Sequence, residues 1–208
     1  MNATALAQGG QRPCIVIMAR APVPGRVKTR LARSIGARRA CSVHVALLET
    51  TIAAAMGVGV DVVLAATPDG HHHVFRRLQR RWPGLRLVRQ GRGDLGQRML
   101  GVFRRFNERP VILVGSDCPV FTPGVLRSAL DALDHHRLVF VPAEDGGYVA
   151  VGGRRAPGTV FRGVSWGGSR VMAQTHGRVR AAGYSCRMMP MLWDVDERAD
   201  WRRWIRGT

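Results

Sequence analysis

Short apolar runs alternate with segments of helical period along the chain, and this alternation constrains the fold more than any other feature. The runs of strand type are Cys14–Ala19, Val60–Ala66, Leu85–Val88, Val111–Val114, Leu138–Val141, Tyr148–Val151 and Tyr184–Met189. Between them, the spacing predicts helices over about Ala37–Met56, Asp69–Trp82, Leu95–Phe106, Thr122–Asp134, Ser169–Ala182 and Glu197–Ile205. Apolar strands that alternate with helices predict the α/β class, with a mostly parallel sheet covered on both faces. Tyr148–Val151 follows Val141 after a short Gly turn, which suits an antiparallel pair. No repeat or linker divides the chain, so residues 13–208 read as one domain. Residues 1–12 read as a disordered tail, because MNATALAQGGQ has neither the basic start nor the apolar stretch of a secretory signal.

Composition narrows the function classes. Hydrophobic residues are 46% and charged residues 22%, which excludes a disordered or fibrous chain. No apolar run reaches the roughly 18–20 residues of a membrane helix, so no membrane insertion is expected. The four cysteines are scattered with neither CxxC nor zinc spacing, which suits a reduced, cytoplasmic protein. Net charge is +18, which invites a nucleic-acid-binding reading. Against that reading, aromatic residues are only 6%, the cations are dispersed, and no helix-turn-helix or stacking motif is present. Of the 32 basic residues 31 are Arg, which reads as coding bias on solvated faces. Lys28 is the single lysine, and its retention points to a site that needs a compact ammonium.

In a parallel sheet, ligands sit beyond the carboxyl ends of the strands, so the loops there carry the chemistry. The first strand runs out through Ala19 into APVPGRVKTRLA, where Pro24 stiffens a turn and Gly25 permits a close backbone approach. Arg26, Lys28 and Arg30 follow, which together with the turn makes an anion site, although no Walker A pattern is present. In GRGDLGQRM, Gly93, Asp94 and Arg98 are candidate nucleotide contacts, while the Asp94/Gln97 spacing would equally make a capping box. VILVGSDCP delivers Ser116 and Asp117 at a strand end. There Asp117 either caps backbone or holds Mg²⁺ on phosphate oxygens. PAEDGGY offers Asp145, Gly146 and Gly147, with Asp145 either a turn residue or a catalytic group. In LWDVDERAD, Asp196 either caps the last helix or supplies a second metal ligand opposite Asp117. Six of the 14 acidic residues fall in these loops, which favours a cation site. The His71–His73 run reads as solvated. Cys118 has no partner His in the sequence reading, and no GxSxG pattern is present.

Taken together and in order, APVPGRVKTRLA, GRGDLGQRM, VGSDCP, PAEDGGY and DVD resemble the radical-SAM/selenodomain-associated transferase 1 family, also called arsenosugar-biosynthesis-type glycosyltransferases. The resemblance spans about Pro13 to Trp204. It implies the nucleotide-diphospho-sugar transferase superfamily: a GT-A-like three-layer α/β/α sandwich with a mixed, mostly parallel seven-stranded sheet. KTRLA and PAEDGG are similar to stretches of 2-phospho-lactate guanylyltransferases, and DVD is similar to the metal-binding end of CMP-Kdo synthetases. The resemblance thus implies Asp117 and Asp196 as ligands of Mg²⁺ (or Mn²⁺) and Arg26 and Lys28 as a phosphate clamp. It implies a nucleotide or nucleotide-sugar donor and a small-molecule acceptor. Glycosyl transfer with Asp145 as acceptor base is the first expectation. Nucleotidyl transfer with release of pyrophosphate is the second. The chain departs from the family at Glu197, where Thr is usual, and at Gly167–Gly168, where Ser-Thr usually follows the Trp.

Overall fold

The computed structural model describes residues 12–68, 70–107, 109–155 and 158–207; of the tail read from the sequence, only Arg12 falls among them. Strand β1 (Cys14–Arg20) is apolar on both faces, as a central parallel strand must be, and its first four residues are fully buried. It pairs in parallel with β2 (Asp61–Thr67), setting Ile17 opposite Leu64, and with β4 (Val111–Gly115), setting Ile17 opposite Val114. Strand β3 (Leu85–Arg89) extends the sheet in parallel beyond β2. On the other side β6 (Tyr148–Gly153) runs antiparallel to both β4 and β5 (Leu138–Pro142), and the short β7 (Cys186–Met188) lies parallel to β5. The order is β3-β2-β1-β4-β6-β5-β7.

The period of two along β1 divides the core into two layers. Ile15 and Ile17 pack with Leu48 and Ile52 of α2 (Ala37–Met56), Phe75 of α3 (His73–Arg81) and Leu126 of α5 (Pro123–Asp131). Cys14 and Val16 face the opposite layer, with Phe103 of α4 (Leu95–Arg105) and Val179 of α6 (Val171–Ala181). This is the three-layer α/β/α fold with a mixed seven-stranded sheet. Helix positions follow the predicted segments closely. The first helical segment begins earlier than Ala37, however: α1 (Thr29–Ile35) precedes α2, and Gly36 at φ 85° and ψ 150° breaks the two apart. Its apolar face is short, with Leu31 its only buried residue, which is why periodicity alone did not reveal it. A third apolar cluster joins Leu31, Leu47, Trp193 and Val195, and Trp201 and Trp204 of α7 (Arg198–Arg206) pack against it. That cluster holds the C-terminal segment beside the carboxyl ends of β1 and β4. Among the described residues no helix is long and apolar enough to cross a membrane.

Candidate active site

The carboxyl ends of β1, β2, β3 and β4 open into one cleft of about 560 Å³. The loop after β1 builds its floor. Ala21 N–H bonds the Thr67 carbonyl at 2.7 Å, and Arg26 N–H bonds the Val23 carbonyl at 2.9 Å across Pro24-Gly25. Gly25 has φ 78°, the left-handed conformation that a Pro-Gly turn places on its glycine. Three residues on, Lys28 at φ 47° and ψ 47° is the one non-glycine residue with positive φ among the described residues. It caps α1, and its side chain turns inward and is only 2% exposed.

The Lys28 ammonium joins the two predicted metal ligands. Its Nζ lies 2.7 Å from Asp117 Oδ2 and 2.9 Å from Asp196 Oδ1. The two acidic segments are locked together by Val195 N–H donating to the Asp117 carbonyl at 3.1 Å. Asp117 Oδ1 also accepts from Ser116 Oγ at 2.8 Å and lies 3.8 Å from His44 Nδ1. Burial pushes the Asp117 carboxyl up, but the Lys28 ammonium and His44 outweigh it and hold the group well below the usual carboxylate range. Burial likewise pulls Lys28 down, and Asp117 and Asp196 more than reverse it, so Lys28 stays charged above its ordinary value. Asp196 does not cap α7. The cap is Glu197, in a capping box with Asp200, whose Oδ2 accepts from the backbone of Asp196 at 3.0 Å and of Glu197 at 2.8 Å. Asp194 is pushed up to about 7, by burial first and then by the charges of Asp196 and Asp145.

Of the residues singled out from the sequence, Ala19, Arg26, Lys28, Arg30 and Arg98 line the cleft, as do Ser116, Asp117 and Asp196. Pro24 and Gly25 form the turn behind it. Gly93 and Asp94 line a neighbouring cavity of about 730 Å³ with Arg92, Arg104 and Arg162. Asp94 there makes the full capping box with Gln97, one of its two sequence readings. Asp145, Gly146 and Gly147 lie on the β5–β6 turn and do not line the cleft; Asp145 Oδ1 accepts from Gly147 N–H at 2.8 Å. Gly146 at φ 87° passes so close to the Ser169 carbonyl that a Cβ there would come within 2.0 Å.

Sequence reasoning missed His44, Gln90 and Arg20. His44 is buried on α2, and its Nε2 lies 3.0 Å from the Arg20 carbonyl. Gln90 bonds the Ala65 and Ala19 carbonyls through Nε2 and accepts from Arg98 Nη1 at 3.2 Å. Gly167 brings the loop before α6 over the cleft. The signal for His44 and Gln90 was a single polar residue beside an apolar run. Arg20 completes the rim and donates to the Arg26 carbonyl at 3.2 Å. Burial first, then Arg20, makes the Arg98 guanidinium easier to deprotonate than an ordinary arginine.

Asp117 and Asp196 fit a divalent ion of the Mg²⁺ kind, which takes one or two carboxylates and completes its shell with substrate phosphates and water. They do not make a site the protein could fill alone: among the described residues no cluster of three or more His, Cys, Asp or Glu side chains gathers to hold a metal.

Comparison with known proteins bears on this site. Residues 50–168, more than half of the chain, match the family described as "Uncharacterized protein conserved in bacteria (DUF2064)". The chain belongs to this family. Among solved structures, this DUF2064 protein is similar to one from Desulfovibrio desulfuricans G20 provisionally assigned as a nucleotide-diphospho-sugar transferase. The two share 28% identity over 89% of this chain and 82% of that one, at a TM-score of 0.80. It is also similar to a CMP:2-keto-3-deoxy-manno-octonic acid synthetase complexed with CTP, with 13% identity, coverage of 95% and 98%, and a TM-score of 0.60. A Mycobacterium tuberculosis H37Rv protein in complex with manganese shares the fold at 18% identity, coverage of 95% and 100%, and a TM-score of 0.57. No curated protein matches. The DUF2064 protein therefore has the nucleotide-diphospho-sugar transferase fold, and it is a transferase.

Proposed function

We propose that this protein transfers a glycosyl group from a nucleotide-diphospho-sugar to the hydroxyl of a small-molecule acceptor. The observation that carries this reading is the partition of charge. Arg20, Arg26, Lys28, Arg30 and Arg98 line the cleft against only the carboxylates of Asp117 and Asp196, a surplus suited to a nucleotide's phosphates. Beside Asp196, the carboxylates of Asp194 and Asp145 lie close enough to repel one another. An anionic acceptor would be repelled there. A hydroxyl acceptor is neutral and needs a carboxylate to take its proton. Asp145 is the base in this reading: it lies on the β5–β6 turn outside the lining of the donor cleft, Gly147 N–H holds its Oδ1, and the residue is exposed to an arriving acceptor.

In this mechanism the guanidinium groups of Arg26 and Arg98 hold the donor's phosphates, and Lys28 stabilises the charge that grows on the leaving diphosphate. Ser116 and His44 fix the orientation of Asp117. Mg²⁺ or Mn²⁺ on Asp117 and Asp196 would supply further neutralisation of that diphosphate. The likeness to the radical-SAM/selenodomain-associated transferases supports the same reading, as does the manganese complex of the M. tuberculosis protein.

A second reading is favoured by one observation: five cations against two carboxylates would also suit a triphosphate, as in nucleotidyl transfer with loss of pyrophosphate. Phosphorus-31 NMR of the protein with Mg²⁺, a panel of nucleotide sugars or triphosphates, and polyol acceptors separates the two. The proposal expects nucleoside diphosphate to accumulate from a nucleotide sugar, at least tenfold slower with Asp145→Asn. Accumulation of pyrophosphate from a triphosphate, with the nucleotide sugars untouched, would replace it by the second reading.

A further inference from the structure

We infer that Lys28 is a built-in counter-ion that competes with the divalent ion for the Asp117–Asp196 pair, so that metal and donor phosphates must enter the cleft together. This rests on the proposal above that Asp117 and Asp196 take a metal.

The ammonium touches Asp117 Oδ2 at 2.7 Å and Asp196 Oδ1 at 2.9 Å, the oxygens between which a shared ion would lie. A bound Mg²⁺ needs oxygens at about 2.0–2.1 Å, so it and the ammonium cannot both occupy that gap. The remaining oxygens keep part of their surface but also have partners. Asp117 Oδ1 accepts from Ser116 Oγ, and Asp196 Oδ2 faces the Arg30 guanidinium at 3.8 Å. An ion arriving alone therefore meets a positive charge on each carboxylate. A diphosphate changes this balance. It offers Lys28 new oxygens within the same cleft and brings ligands for the ion, so one exchange moves the ammonium from carboxylate to phosphate and the metal onto the carboxylates. Lysine suits this exchange better than arginine. Its charge is compact, its stem is flexible and its three donors rotate, whereas a guanidinium would lock the carboxylates in a planar fork. This is the one position where the arginine-rich chain keeps a lysine. Lys28 also has a left-handed backbone, uncommon for a residue with a Cβ and found mostly at functional sites.

Two measurements test this. Free Mn²⁺, counted by electron paramagnetic resonance without nucleotide, gives the affinity of each form for the metal alone. The inference expects Lys28→Met to bind Mn²⁺ roughly ten- to hundredfold tighter than wild type, the reach of one or two charge-assisted contacts. Lys28→Arg should stay within a few-fold of wild type, and Lys28→Met/Asp117→Asn should lose the gain. Equal affinity of wild type and Lys28→Met would overturn the inference and leave the metal reading standing. Absence of Mn²⁺ binding from every form would overturn both. The second measurement needs no variant. Because the chain has one lysine, protein labelled with ¹³C-lysine gives a single lysine Cε signal. Mg²⁺ with inorganic diphosphate should move that signal, and EDTA should return it. A signal that stays in place while diphosphate binds would show that the ammonium never leaves the carboxylates, and would overturn the exchange.

Discussion

Lys28 holds two carboxylates that keep a third or more of their side-chain surface, 35% for Asp117 and 41% for Asp196. Its loss should therefore cost less than the ~3–5 kcal/mol of a fully buried pair, about 2 kcal/mol in chemical unfolding of Lys28→Met. The sign of the pH dependence follows from the two shifts. Asp117 is depressed, so its contribution is full above the unfolded carboxyl range near ~4 and is lost as pH falls through its lower folded value. Lys28 is raised, so its contribution is full below about 10.4 and is lost only above that. The stability gap between wild type and Lys28→Met should close under acid and persist through neutrality, widening where Asp194 ionises without the Lys28 charge beside it; a gap that closes near neutrality would contradict the pairing. The importance of Lys28 was legible from its solitude in the sequence, but its partner was not. The sequence places it in the loop after the first strand, and the folded residue is buried against Asp196, 168 positions away. No local pattern encodes such a contact. His44 and Gln90 escaped notice for the same reason, since each acts through carbonyls of distant strands.

At the scale of elements, the strands and most helices were readable because burial on both faces leaves unbroken apolar runs in the sequence. The early start at α1 was not, because a seven-residue helix with one buried residue has no period to detect. The turns were readable as turns but not as contacts. Gly25 and Gly146 both have positive φ, yet only Gly146 has a neighbour where a Cβ would go, the Ser169 backbone. Gly25→Ala should cost about 1 kcal/mol for its backbone alone. Gly146→Ala should cost about 3 kcal/mol, because overpacking adds to the same strain and the clashing atom belongs to a backbone. Equal midpoints for the two variants in urea would show that the loop before α6 yields freely, and that the β5–β6 turn does not hold it over the cleft.

For the whole molecule, the +18 charge is a field acting on any anion, and the cleft adds five cations against two carboxylates. Nucleotide affinity should fall by about tenfold between 0.1 and 1 M NaCl, as the screening length shrinks from roughly 10 to 3 Å. The residual affinity should still need the cleft. Equilibrium binding of nucleoside diphosphates with Mg²⁺, followed by calorimetry at 0.15 M salt, therefore bears most directly on the central claim. At least one diphosphate should bind at a single site, and Arg26→Ala and Asp117→Asn should each weaken it tenfold or more without lowering the melting temperature of the Arg26 variant. Binding that is indifferent to both substitutions, or no saturable binding of any nucleotide, would contradict the assignment of this cleft as the donor site.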